Sequence, residues 1–248
     1  MLKSIIPARY HPFAERIYHK RRSMRYWGLK FTCPCCKGHF RKFLPYGPKL
    51  TDNVQCPRCY SQNRHRLLQI YLKNRTNFFK DNLKILDIAP TVLFQEMCKN
   101  LTNIDYISAD ISSPLAMLRM DITNISLADN LFDCIICYHV LEHILDDQRA
   151  MRELFRVLKP GAWAILQSPV DNNRDKTFED QTIISPDERE HAFCQHDHVR
   201  IYGRDYKDRL EKAGFVVNVD NYVEKLGERA IKKFGLMRDE NIYFCTKP

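Results

Sequence analysis

Glycine is scarce in this sequence, 8 residues in a chain of 248, and no two of them stand as Gly-x-Gly. A dinucleotide fingerprint or a glycine-rich phosphate loop therefore has no material to be built from. Acid is scarce too, but only at one end. Residues 1–80 hold 18 Lys and Arg against 2 Asp and Glu, a sum of +16, whereas residues 81–248 hold 21 against 28, a sum of −7. Long apolar runs are missing as well: none approaches the roughly 18 residues that span a bilayer. The opening "MLKSIIPARYHPF" has no continuous apolar stretch, so no signal peptide is expected there. The chain reads as cytoplasmic with reduced thiols, not as a secreted disulfide framework.

What is present begins with cysteine, 10 residues. Cys33 and Cys36 form one Cys-x-x-Cys pair and Cys56 and Cys59 a second, at a separation that suits a four-cysteine zinc site. Pro34 and Pro57 help to fix the two turns. Four sulfur ligands close the coordination sphere, which makes a structural ion expected and a catalytic one not. Zn²⁺ on four thiolates leaves a site charge of −2, which lowers the charge of the head to about +14. Cys35 is a spare in the first pair; Cys36 matches the second pair's spacing better. A basic head suits an anionic partner such as RNA, an anionic membrane surface or an acidic substrate, or else a solvated face beside an acidic domain.

After the second pair, "SQNRHRLLQIYLKN" places Leu67, Leu68, Tyr71 and Leu72 at helical spacing. Arg64, His65 and Arg66 crowd its first turn, where positive charge is unfavourable, so they are either solvated or held by a partner. From Leu83 strand and helix patterns alternate. "LKILDIA", "IDYISADI", "LFDCIICYH" and "AWAILQSPV" read as strands, with a short element at "MDIT". "TVLFQEMCKN" and "DDQRAMRELFRVL" read as helices. A polar stretch of about twenty-five residues follows the fourth strand, too long for an ordinary connection. A helix at "DYKDRLEKAG" and strands at "FVVNVD" and "NIYFCTK" close the pattern. The expected architecture is a doubly wound, mostly parallel, seven-stranded α/β sheet at 81–248, with a basic region at 1–80 carrying a zinc module at about 30–62 and a linking helix. Three acids, Asp87, Asp110 and Asp121, end successive strand units, where such sheets bind ligands.

The strings "LDIAP", "SADI", "MDIT", "FDCIICYHVLEHI", "AMRELFRVLKPGAWAILQSP" and "LEKAGF" together resemble the motif series of class I S-adenosylmethionine-dependent methyltransferases. With the double CPxC head, "RHRLL" and "HDHVRIYG", the chain is similar to a group of bacterial methyltransferases that carry an N-terminal zinc module. The resemblance implies a Rossmann-like methyltransferase fold and S-adenosylmethionine as cofactor. It implies Asp87 and Ala89 near the methionine end, Asp110 on the ribose hydroxyls, Asp121 with Ile122 at the adenine, and Tyr138 and His139 lining the sulfonium. The missing glycines fit this cofactor, which has no phosphate to cradle; Ala89 is small, and Pro90 is tolerated at a helix start.

Methyl transfer from a sulfonium chiefly needs alignment of the acceptor, and for an oxygen or nitrogen acceptor a base. Candidate bases are His139 and His143, flanking Glu142, with His139 nearer the strand end. The long insert adds His191, His196, Asp197, His198 and Arg200, which can act as base, bind a metal or clamp an anion; the alternative is a polar surface loop. Cys134 and Cys137 read as strand core. The expected function is methyl transfer to a small-molecule or glycan-type acceptor, anionic in one version. An RNA methyltransferase is the second reading, supported by Tyr10, Phe13, Tyr18, Tyr26 and Trp27 among the basic residues. The third is a non-catalytic zinc-containing interaction protein on a methyltransferase fold that has lost its cofactor.

Overall fold

A computed structural model describes residues 21, 23–47 and 50–248; Tyr10, Phe13 and Tyr18 lie outside the described residues. The chain divides into two compact units. The first contains the residues up to Phe79 together with Asn221–Glu240, and the second Lys80–Asp220 together with Asn241–Pro248. The expected boundary near residue 80 thus marks only one crossing. The chain returns to the first unit between its last two sheet strands, in a segment the sequence reading had left with the sheet.

In the first unit, β1 (Trp27–Thr32) pairs antiparallel with β2 (His39–Phe40), and β3 (Leu44–Tyr46) with β4 (Thr51–Gln55). A helix, Asn63–Arg75, follows the second cysteine pair and buries Leu67, Leu68, Tyr71 and Leu72 as the spacing predicts. A second helix, Tyr222–Phe234, kinks at Gly227 and ends on Gly235, whose left-handed φ of 60° is the usual helix-stopping conformation. Tyr222 meets Tyr71 edge-on at 5.1 Å and accepts a hydrogen bond from Asn74 at 3.0 Å.

Arg66 ties this unit together. It is fully buried, and its guanidinium donates to the carbonyls of Phe234 (2.6 Å), Val54 (2.9 Å), Ser61 (2.7 Å) and Gly235 (2.7 Å) while lying over the Phe43 ring. Solvation of the crowded first turn is therefore wrong for Arg66. Its partners are orphan carbonyls from several segments, two of them at the end of the returning helix, where a cation also complements the helix dipole.

The second unit holds one seven-stranded sheet. Its strands are β5 (Leu83–Ile88), β6 (Ile104–Asp110), β7 (Leu118–Arg119), β8 (Phe132–Tyr138), β9 (Leu158–Gln167), β12 (Val216–Asp220) and β13 (Ile242–Thr246), in the spatial order β12-β13-β9-β8-β5-β6-β7. β13 runs antiparallel to both neighbours and the other pairings are parallel. β5 and β8 are buried on both faces, which is why they read as unbroken apolar runs. The helix Asp147–Val157 lays Ala150, Met151, Leu154 and Val157 on the sheet, each large side chain contributing about 1.5–3 kcal/mol. "KPGA" bulges out of β9, with Gly161 at φ 75° and the register to β8 shifted there.

The long polar stretch is not a bare loop. β10 (Phe178–Glu179) pairs with β11 (Arg200–Ile201), and a helix, Pro186–Phe193, lies between them in sequence. Ser185 and Glu188 form a capping box around Pro186 at the first helical position, a signal legible in "SPDE".

Candidate active site and metal centre

Successive crossovers carry the chain from β5 to β6 and β7 on one side, then back past β5 to β8 and β9 on the other. The order reverses between β5 and β8, and ligands of such sheets bind outside the carboxyl ends of the strands at that point. The residues expected to carry function stand at this edge. Ala89, just beyond β5, has a left-handed φ of 53°, and its amide donates to the Ala109 carbonyl at 2.9 Å. A glycine would take this conformation without strain; alanine takes it at a cost of about 1–2 kcal/mol. His139, just beyond β8, shows the same departure, φ 59°, with its amide bonded to the Gln167 carbonyl at 2.7 Å. Strained residues of this kind concentrate at functional sites.

The three acids behave differently. Asp87 is 4% exposed and accepts the Tyr106 hydroxyl at 2.6 Å; burial pushes its carboxyl up to about 7 against the lowering effect of that bond. Asp110, at the end of β6, accepts the amides of Ser112 and Ser113 at 2.7 Å on Oδ1, which fixes the carboxylate. Exposed Ile111 stands beside it, an apolar partner the sequence reading passed over. Asp121 is exposed and turns toward Thr123, accepting its amide at 2.8 Å and hydroxyl at 2.9 Å. Ile122, expected at a cofactor, has its side chain in the main core at 4% exposure, which leaves its backbone as the part that can meet a ligand. Tyr138 is half-buried, its ring 5.3 Å from that of His139.

The insert brings part of its expected set to "YHVLEHI". The 3₁₀ turn Leu141–His143 carries Glu142, 2% exposed, whose Oε2 accepts the Ser168 hydroxyl at 2.9 Å. Its Oε1 lies 3.3 Å from His139 Nδ1 and 4.0 Å from His143 Nε2. Burial raises the Glu142 carboxyl, but the bond and charge of His139 with the charge of His143 outweigh it, and the net shift is downward. His198, 7% exposed, stands edge-on to His143 with ring centres 4.8 Å apart, and burial lowers its pKa. His191 and His196 are exposed and stay outside this cluster. Arg200 is no anion clamp: at 3% exposure it donates to the carbonyls of Leu141, Ile144 and Leu145 and to Glu179, so its charge is spent on the turn that carries Glu142.

In the cysteine unit, Cys33, Cys36, Cys56 and Cys59 bring their sulfurs within 4.8 Å of one another, with Cys33–Cys59 at 3.6 Å and Cys36–Cys56 at 3.7 Å. A tetrahedral ion with Zn–S bonds of ~2.3 Å needs sulfurs roughly 3.8 Å apart. Cys35 turns away to the His65 carbonyl at 3.7 Å. The residue after each pair, Lys37 and Tyr60, has φ 57°, so both turns share one geometry. Hydrogen bonds to Cys33, Cys36 and Cys59, together with burial, push the Cys56 thiol far up; a divalent cation removes that obstacle to ionisation. Cys134 and Cys137 are fully buried in β8, as expected.

No helix among the described residues is long and apolar enough to cross a membrane. Residues 77–166 match the family model described as a methyltransferase domain. No curated protein matches the chain. A SAM-dependent methyltransferase from Archaeoglobus fulgidus is similar in structure, with TM-score 0.51, 16% identity, and coverage of 75% of this chain and 95% of that one. The 4+2 cyclase SpnF is similar with TM-score 0.52, 14% identity, and coverage of 87% and 91%. Strand order, motif positions and these likenesses agree: the sheet unit is a domain of the class I methyltransferase fold, joined to a four-cysteine unit.

Proposed function

We propose that the protein is an S-adenosylmethionine-dependent methyltransferase for a small-molecule or glycan-type acceptor, with a structural zinc ion in its cysteine unit. The observation that carries this reading is Asp110, locked by its own loop amides at the carboxyl end of β6 beside exposed Ile111. A fixed carboxylate next to an apolar surface suits vicinal ribose hydroxyls and an adenine face. Bound S-adenosylmethionine supplies an activated methyl group on a sulfonium.

The remaining work falls to the chain. Asp110 accepts the hydroxyl hydrogen bonds. The Ala89 turn would bring backbone close to the ligand, two residues beyond buried Asp87, which accepts the Tyr106 hydroxyl. Tyr138 and Asp121, at the same edge of the sheet, would border the bound cofactor. His139, at the strand end and in contact with Glu142, is the candidate base for an acceptor proton, worth roughly 10²–10⁴-fold.

Calorimetry with S-adenosylmethionine tests the assignment. The wild type should bind, and Asp110→Ala should bind about 10–100-fold more weakly, as expected for lost hydrogen bonds to a charged acceptor. Saturating ligand that gives no heat and no shift in melting temperature defeats the enzyme reading and leaves the interaction protein. The cyclase on the same fold makes that check worthwhile, because fold alone does not set the reaction.

One observation favours RNA as acceptor. Trp27 is 68% exposed and Leu29 76% exposed on β1, among exposed Arg25, Lys30, Arg41 and Lys42. Aromatic and cationic groups together form a stacking and phosphate-binding surface. Binding of total RNA that weakens steeply with salt and is lost in Trp27→Ala would select this acceptor over a glycan.

A further inference from the structure

The cluster at the acceptor-side edge of the sheet has the make-up of a metal site. Glu142, His143 and His198 each offer one ligand atom, all within 4.8 Å of one another. Glu142 Oε1 is buried and, although His139 Nδ1 lies 3.3 Å away, it receives no well-aligned hydrogen bond, whereas its twin oxygen accepts the Ser168 hydroxyl. A carboxylate oxygen left in that state is costly, by about 1–3 kcal/mol, and a cation offsets the cost. The 4.0 Å between Oε1 and His143 Nε2 is too long for a hydrogen bond, and exceeds by about half an ångström the roughly 3.4 Å between two ligands at ~2.1 Å from a tetrahedral ion.

Both imidazoles are oriented from behind. His143 Nδ1 lies 3.2 Å from the Asp197 carbonyl and 3.3 Å from its carboxylate, so Nδ1 is the donor to these acceptors, and in the neutral ring Nε2 is left as the ligand nitrogen on the Glu142 side. The Phe193 carbonyl is also an acceptor for the His198 ring. Outer acceptors that fix the tautomer are the regular companions of metal-bound histidine.

We propose that Glu142, His143 and His198 bind a divalent first-row transition ion, separate from the four-cysteine ion and with open positions for a hydroxyl or carboxylate oxygen. Two imidazoles and one carboxylate suit Zn²⁺ or Fe²⁺ and suit Mg²⁺ or Ca²⁺ poorly. Three protein ligands leave room for a water or an oxygen-bearing ligand, unlike the closed cysteine set. The set is looser than a loaded site, and closure onto the ion requires the His143 ring to move by about 1 Å. The site stands whether or not the sheet unit binds S-adenosylmethionine.

The test is metal stoichiometry on the full-length chain, stripped and reloaded with Zn²⁺ at neutral pH. Wild type should hold two equivalents. His143→Ala and His198→Ala should each hold one, and Cys56→Ser should lose the other. Asp197→Ala, which removes only the outer carboxylate, should keep the second equivalent at about 10–100-fold lower affinity. With Co²⁺ the thiolate charge-transfer bands should persist in the histidine variants while the weaker nitrogen–oxygen bands vanish. Mg²⁺ should displace neither ion. A single equivalent in wild type, or two equivalents in His143→Ala, overturns the proposal. His143 is partly exposed, so that variant decides the matter even if His198→Ala fails to fold.

Discussion

The cysteine unit and the sheet unit both bury polar groups, by different means. The sheet unit has a broad core, in which Leu86, Ile135, Leu154 and Leu166 are wholly buried, and its buried acids are incidental to that mass. The core around the four cysteines is small: Phe31, Phe40 and Phe43 beside Cys33 and Cys56. Buried Arg66 and the returning helix Tyr222–Phe234 complete the unit. The comparison teaches that the first unit concentrates its ties in the buried Arg66 and a cluster of four cysteines suited to a metal, whereas the second spreads its stability over many contacts. Removing single groups from each unit tests that contrast.

The largest effect should come from the metal. Structural zinc contributes on the order of 10–16 kcal/mol to small cysteine modules. Chelation, or Cys56→Ser, should therefore unfold the cysteine unit and leave the sheet unit's circular dichroism and unfolding transition in place. One cooperative transition that vanishes as a whole would show that the two units do not unfold independently.

Next is Asp87, the buried acid of the sheet unit. Its folded pKa of about 7 lies above the unfolded value near 4, so the protonated carboxyl favours the folded state. That contribution is whole below about pH 4 and is lost as the pH rises through about 7, on the order of 4 kcal/mol in all. Asp87→Asn should flatten the fall in urea-unfolding free energy across this window. Tyr106→Phe, which removes the bond that lowers the pKa, should carry the fall to higher pH.

Arg66→Met should follow. It strands the carbonyls of Val54, Ser61, Phe234 and Gly235, each unsatisfied acceptor costing about 1–3 kcal/mol before relaxation. Because water can enter at the helix end, the net loss should be about 3 kcal/mol, and the metal-loaded cysteine unit should unfold at lower urea while the sheet unit does not. An equal loss in both units would break the contrast.

How much of this was legible follows from distance along the chain. Two Cys-x-x-Cys pairs are a local signal, and the four sulfurs stand together as the spacing predicts. The apolar runs at β5 and β8 were legible because strands buried on both faces need no partner to be recognised. The capping box at Ser185 and Glu188 was local as well, and was passed over inside a polar stretch. Arg66 misled because its acceptors lie up to 169 residues away, in a helix that the pattern gave no reason to place in the first unit. The juxtaposition of His143 with Asp197, 54 residues apart, likewise depends on how the insert folds back, which residue types alone do not specify. The apolar character of Ile122 was legible, but not that its side chain packs into the core.

The smallest effect concerns the missing glycine. Ala89 holds φ 53° in the sheet unit, and Lys37 holds φ 57° after the first cysteine pair. A left-handed conformation costs an L-residue about 1–2 kcal/mol, and glycine returns part of that as unfolded-chain entropy, about 0.4–1 kcal/mol. Lys37→Gly should therefore stabilise its unit by about 0.5 kcal/mol, since the exposed side chain gives up little packing. Ala89→Gly should gain less, because Ala89 packs against the main core and its methyl is lost. The difference between the two variants, read as urea midpoints at unchanged slope, isolates what that methyl contributes. If Ala89→Gly gains as much as Lys37→Gly, the methyl makes no net contribution, and the alanine is a strain the turn simply bears. If it loses stability, packing outweighs the strained backbone, which is a physical reason for this turn to do without a glycine.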